Sequence, residues 1–219
     1  MAFADRRDAG RRLAARLTHY AQRADVLVLG LPRGGVPVAY EVAQALSAPL
    51  DVFVVRKLGV PGHEELAMGA IATGGVRVLN LDVVEELSIP SQVIEKVTEA
   101  ERQELERRER LYRDDRPPPV VEGRIIIVVD DGLATGATMR AAVAALRQSR
   151  PAWLVVAIPT SARSTYEELG REVDEIVAVI LPDAFHAVGL WYHDFRPTTD
   201  DEVRQLLNAP PDGLQYRTV

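Results

Sequence analysis

The residues best suited to chemistry lie between Ile127 and Arg140, in the run IVVDDGLATGATMR. An apolar segment patterned like a buried strand ends in adjacent carboxylates, Asp130 and Asp131, and a turn of Gly, Ala and Thr leads into a helical pattern. In an open α/β sheet, ligands bind beyond the carboxyl ends of the strands. A loop of small residues there presents backbone N–H groups, backed by the positive end of the helix dipole, and so makes a cradle for phosphate. Thr135 and Thr138 add hydroxyl donors, and Gly132 and Gly136 let the backbone come close to an anion. Paired acids ahead of such a loop suit a sugar phosphate, with the acids on two hydroxyls and the loop around the phosphate. The alternative is an acidic strand end beside an ordinary glycine-rich helix start, which would hold two carboxylates in a costly setting with no ligand to offset it. The chain has neither G-x-G-x-x-G nor GK[ST], so a dinucleotide fingerprint and a Walker loop are excluded.

Two further clusters could serve an anion. GLPRGG (Gly30–Gly35) follows the first core strand; Gly34 and Gly35 open a helix and Arg33 adds charge. Alone, that run also fits an ordinary strand-to-helix turn. Arg56 and Lys57 close the second strand. The segment after them, Leu58–Gly69, carries His63 and has the Gly and Pro content of a mobile lid over a site. His63 reads equally as an anion contact and as a plain surface residue.

The elements that must position these groups alternate between strand and helix. Asp5–Arg23 has amphipathic helical spacing, Asp25–Gly30 reads as a buried strand, and Val36–Leu46 as a helix with Pro37 in its first turn. Leu50–Arg56 is a β-branched strand, and AMGAIAT and VRVLN are short strands around Gly74–Gly75. Arg124–Asp130 is a continuous Ile/Val strand of the kind covered on both faces. Helix Ala137–Gln148, strand Trp153–Pro159, a short helix near Thr165–Gly170 and strand Glu175–Leu181 complete a series that predicts a parallel α/β sheet. Ser91–Asp115 stands apart as a long Glu/Arg helix, read as a solvated insertion or else a lid or dimer contact.

Composition narrows the function classes. The chain has 219 residues, 47% of them hydrophobic and 26% charged, which suits one globular domain with a sizeable core. A net charge of −6 disfavours a general nucleic-acid binder. The absence of Cys excludes disulfide scaffolds and thiolate chemistry. No run approaches the ~18 apolar residues of a membrane span. The first residues, MAFADRRDAGRRLAARL, carry no apolar leader, so the cytoplasm is the expected location.

VVDDGLATGATM resembles the phosphoribosyl pyrophosphate signature of type I phosphoribosyltransferases. The assembly LPRGG, VVRKLGVPGHEELAMGA and VDDGLATGAT resembles a bacterial group of that family, over roughly Asp25–Phe195. The resemblance implies a parallel sheet flanked by helices, with a small hood from the termini. It gives one domain over residues 1–219, with a core of about 25–181, a hood from 1–24 and 182–219, and the helical insertion at about 91–115. It implies that Asp130 and Asp131 hold the ribose hydroxyls and Ala134–Thr138 the 5-phosphate. Arg33, Gly34 and Gly35 would form a pyrophosphate loop, in which Pro32–Arg33 is a candidate cis peptide. Arg56 and Lys57 resemble the Arg-Lys pair of orotate phosphoribosyltransferases, with His63 near that enzyme's loop histidine but at a different spacing.

The stretch LPDAFHAVGLWYHDF (Leu181–Phe195) resembles the hood of hypoxanthine-guanine enzymes, with Phe185 stacking on a base and Asp194 near a metal, one residue out of register. A hydrophobic strand packed on the core would leave the same pattern. Purine enzymes of this fold carry a Lys at the end of the preceding strand, where this chain has Pro159, Thr160 and Ser161. The implied reaction transfers a phosphoribosyl group to a nitrogen acceptor with Mg²⁺ bound by Asp130, Asp131 and Asp194, in a homodimer acting on small molecules. A sensor of the same sugar phosphate and a hydrolase or phosphorylase of a ribosyl phosphate are the alternatives.

Overall fold

The computed structural model describes residues 3–114 and 116–209, without the side chain of Glu65. Five parallel strands form the main sheet: β1 (Val26–Gly30), β2 (Leu50–Val52), β6 (Ile125–Val129), β7 (Trp153–Thr160) and β8 (Glu175–Ile180), in the order β2-β1-β6-β7-β8. Continuous apolar runs in β1 and β6 follow from burial on both faces. Leu27, Leu29, Ile126 and Val128 meet α5 (Ala137–Gln148) and α6 (Arg163–Leu169), while Val26, Val28, Ile125, Ile127 and Val129 meet α1 (Arg6–Ala14) and α2 (Gly35–Leu46).

The expected strand Leu50–Arg56 divides in two. After Val52 the Phe53 amide still donates to the Gly30 carbonyl at 3.0 Å, but the Val54 carbonyl accepts from Thr73 at 2.9 Å, so the chain changes partner. It continues as β3 (Val55–Val60), which pairs antiparallel with β4 (His63–Ala72) and through it with β5 (Val76–Leu79). The expected lid, Leu58–Gly69, is thus a hairpin turning at Pro61–Gly62, with Gly62 at φ +80° supplying the left-handed turn conformation.

The Glu/Arg segment forms α4 (Ser91–Arg113); Asp115, the last residue of the expected helix, lies outside the described residues. Glu104 pairs with Arg107 and Arg108 on its outer side. However, Ile94, Leu105 and Tyr112 are buried against the hairpin and α7 (Asp200–Asn208), so the helix is a packed layer and not a solvated insertion. Two helices were not expected from the sequence: α3 (Leu81–Glu86) and α7. The first helix is shorter than predicted, stopping at Ala14 before a 3₁₀ turn at Thr18–Tyr20.

The termini meet over one end of the main sheet. Phe3 bridges Tyr192, and the His193 and Asp194 amides donate to the Phe3 and Ala4 carbonyls at 2.8 and 2.9 Å. Phe3, Ala9 and Tyr192 make a small apolar cluster with Val188, Trp191 and Phe195, whereas the apolar face of α1 lies in the main core against α2. Met1, Ala2 and residues 210–219 of the expected hood lie outside the described residues. Among the described residues no helix is long and apolar enough to cross a membrane.

Candidate functional site

Register builds the site. β1 and β6 align Gly30 with Val129, and the Leu31 amide donates to the Val129 carbonyl at 2.9 Å, so the loops beyond both strands lie side by side. A Cβ on Gly35 would fall 2.6 Å from the Val129 carbonyl and 2.9 Å from Asp130 Cα. One on Gly34 would fall 2.1 Å from Asp131 Oδ2. The paired glycines are therefore required by the contact of the 30–35 loop with the acid pair. The Pro32–Arg33 peptide is cis, as the resemblance anticipates.

The acids continue into a turn tied down from behind. The Asp131 amide donates to Asp130 Oδ1 at 2.9 Å, the Leu133 amide to the Thr160 carbonyl at 3.0 Å, and the Thr165 hydroxyl to the Ala134 carbonyl at 2.8 Å. Gly136, at φ +72°, starts α5 without a side-chain cap. Ala134, Thr135, Ala137 and Thr138 are exposed, and the first N–H groups of a helix have no partner within it. The 134–138 segment thus has the geometry of an open anion cradle.

Asp131 is held by Arg6 of α1. Arg6 Nε and Nη2 both lie 2.8 Å from Asp131 Oδ2, Nη1 donates to the Arg196 carbonyl at 2.8 Å, and the guanidinium sits 4.0 Å from the Phe195 ring centroid. The Tyr192 hydroxyl donates to the Asp131 carbonyl at 2.5 Å. Burial raises the Asp130 carboxyl well above the usual carboxylate range, and the neighbouring Asp131 charge adds to it. Burial also raises Asp131, against the opposing pull of Arg6. Burial raises the Tyr192 hydroxyl as well, with the Asp131 charge adding. A cavity of about 440 Å³ is lined by Arg6, Arg7, Pro37, Asp194, Arg196 and Glu202, among others.

The structure therefore gathers Gly34, Gly35, Asp130 and Asp131 at the ends of β1 and β6, with Ala134–Thr138 continuing from the acid pair. Arg33 stands at the loop's edge, 3.9 Å from Asp200. Arg56 and Lys57 are successive residues of β3 and so start toward opposite faces, yet both line a cavity of about 450 Å³ with Glu64 and Glu101. Arg56 turns to α4 and donates to Glu101 at 2.7 Å, while Lys57 lines a small cavity with Ala137 and Thr138 at the start of α5. His63 is exposed at the start of β4, opposite Val60.

Phe185 is half-buried in the segment after β8; the rings that touch Arg6 and Asp131 are Tyr192 and Phe195. Asp194 is bound by Arg196 at 2.6 Å, and among the described residues no three His, Asp or Glu are grouped to hold a metal. No local sequence signal marks Arg6, Tyr192 or Phe195 as part of the site. Arg6 is one of several arginines on an amphipathic helix, and nothing in its spacing separates it from its solvated neighbours.

Residues 62–195 match the family described as phosphoribosyl transferase domain. The Mycobacterium tuberculosis protein named "Putative phosphoribosyl transferase Rv0571c" is 48% identical over 206 residues, covering 94% of this chain and 46% of that protein. The chain thus spans about half the length of this curated relative. The crystal structure of TT1426 from Thermus thermophilus shares 42% identity at a TM-score of 0.85, covering 94% of this chain and 98% of that one. AQ2163 from Aquifex aeolicus, 12% identical at a TM-score of 0.51, shares the fold. Together with the acid pair and the loops that flank it, these matches establish that the chain belongs to the type I phosphoribosyltransferase family.

Proposed function

We propose that this protein uses 5-phosphoribosyl 1-pyrophosphate as donor and a nitrogen nucleophile as acceptor. The C1–O bond to pyrophosphate breaks, a C1–N bond forms, and the acceptor nitrogen releases its proton to solvent. The observation that carries this reading is the juxtaposition of two glycine-bearing strand-to-helix turns with an acid pair at their junction. Asp130 and Asp131 would take the ribose hydroxyls, 134–138 the 5-phosphate, and the 30–35 loop with Lys57 the pyrophosphate. Fixed donors aimed at developing charge are how such a site lowers a barrier.

Mg²⁺ fits the hard oxygen donors of the acid pair. With two adjacent carboxylates and no larger cluster among the described residues, it would be held largely through donor oxygens and water. When bound, it would neutralise the leaving pyrophosphate. We place the reaction in the cytoplasm, in a homodimer acting on small molecules and not on nucleic acid.

Pyrophosphate release with Mg²⁺ and the donor, measured across a panel of amines and heterocycles, tests the reading. Acceptor-dependent release supports it. Release without acceptor would indicate a hydrolase, and binding without release a sensor; either contradicts it.

A further inference from the structure

We infer that Arg6 is a positioning residue for the ribosyl donor, fixing one oxygen of Asp131 so that the other faces the ligand. The inference rests on the donor-site reading given above. Two donors of one guanidinium, Nε and Nη2, converge on the same atom, Asp131 Oδ2, each at 2.8 Å. The backbone of Gly34 lies against that oxygen so closely that a Cβ there would come within 2.1 Å of it. Oδ2 is thus enclosed by Arg6 and the 30–35 loop. Arg6 makes no use of Oδ1, and a carboxylate pinned at one oxygen keeps a single rotation and presents the other in a fixed direction.

The guanidinium is itself held in place. Its remaining terminal nitrogen donates to the Arg196 carbonyl at 2.8 Å, and its face lies 4.0 Å from the centroid of Phe195. Only 11% of the Arg6 side chain and 16% of the Asp131 side chain are exposed, unlike Arg7, whose side chain is 49% exposed. Planar, forked and permanently charged, arginine can serve a carboxylate, a carbonyl and an aromatic face together, which lysine cannot. The same three contacts join α1, the C-terminal segment and the acid pair, so one side chain ties the orientation of Asp131 to the closed termini.

Calorimetric titrations with ribose 5-phosphate and with inorganic phosphate, on wild type, Arg6→Gln and Arg6→Lys, test this. The phosphate probe reads the anion sites without Asp131, and the sugar phosphate also reads Asp131. Arg6→Gln should lose about tenfold or more in affinity for ribose 5-phosphate, as expected for a misplaced charge-assisted hydrogen bond, with phosphate affinity unchanged. Arg6→Lys, which keeps the charge but not the fork, should recover part of the loss. Equal losses for both probes would show a general structural defect, and an unchanged ribose 5-phosphate affinity in Arg6→Gln would show no positioning; either overturns the inference while leaving the donor site standing. Wild type binding neither probe would overturn the donor-site reading and this inference with it.

Discussion

Gly34 and Asp131 constrain each other at the scale of single residues. The loop can approach the carboxylate only because Gly34 has no side chain. Gly34→Ala should displace Asp131 and Arg6 together, costing ~1–3 kcal/mol of stability by overpacking and most of the donor affinity; thermal melts and calorimetry read the two effects. Asp130 carries a different prediction. Its carboxyl is raised in the folded protein, first by burial and then by Asp131. The folded state therefore holds this proton more tightly than the unfolded chain, whose carboxyls titrate near ~4. In the ligand-free, metal-free protein, stability is greatest below that value and falls as pH rises through the window up to the raised pKa. Asp130→Asn removes the loss, so at pH 7.5 it should melt higher than wild type while binding the donor poorly, and the gain should shrink toward pH 4. A variant that melts lower at pH 7.5 would show that Asp130 is not held at a cost to the fold.

Among the elements, β3 divides two cations that stand together in sequence. Arg56 serves the contact with α4 through Glu101, each side chain about a quarter exposed, while Lys57 faces the start of α5. Arg56→Ala should cost at most ~1 kcal/mol, as partly exposed ion pairs do, and leave pyrophosphate affinity unchanged. Lys57→Ala should weaken pyrophosphate several-fold. The opposite pattern in calorimetry and melts would reverse the two assignments. Local signals made the central elements legible: the strand, acid pair and turn of 125–138 are contiguous, and their pattern states both element and chemistry. The division of Leu50–Arg56 was not legible, because it depends on the Val54 carbonyl finding Thr73 and not on any Gly or Pro. The burial of α4 was masked by a dense Glu/Arg face, although Ile94, Leu105 and Tyr112 lie on its other side.

Across the whole molecule, the site joins parts of the chain that no local pattern connects. Arg6 and Asp131 are 125 residues apart, and the aromatic surface over them comes from Tyr192 and Phe195 near the far end of the chain. A sequence shows which residues could bind a phosphate; which arginine reaches them is decided by how the termini close. The acceptor is also decided at this scale. β7 ends in Thr160 and Ser161 with no Lys, so a 6-oxopurine would leave its carbonyl without a charged partner, which polar sites reject strongly. Hypoxanthine and guanine should give little nucleotide at saturation, measured by pyrophosphate release; turnover in the ordinary range of ~1–10³ per second would refute this. Whether the acid pair and its loop hold a ribosyl donor is decided by titrating 5-phosphoribosyl 1-pyrophosphate with Mg²⁺ into wild type and Asp131→Asn. Wild type should bind saturably and the variant should lose about tenfold or more, the equivalent of ~1.5 kcal/mol or more for charge-assisted hydrogen bonds. Equal affinities, or no binding to wild type, would contradict the donor-site reading.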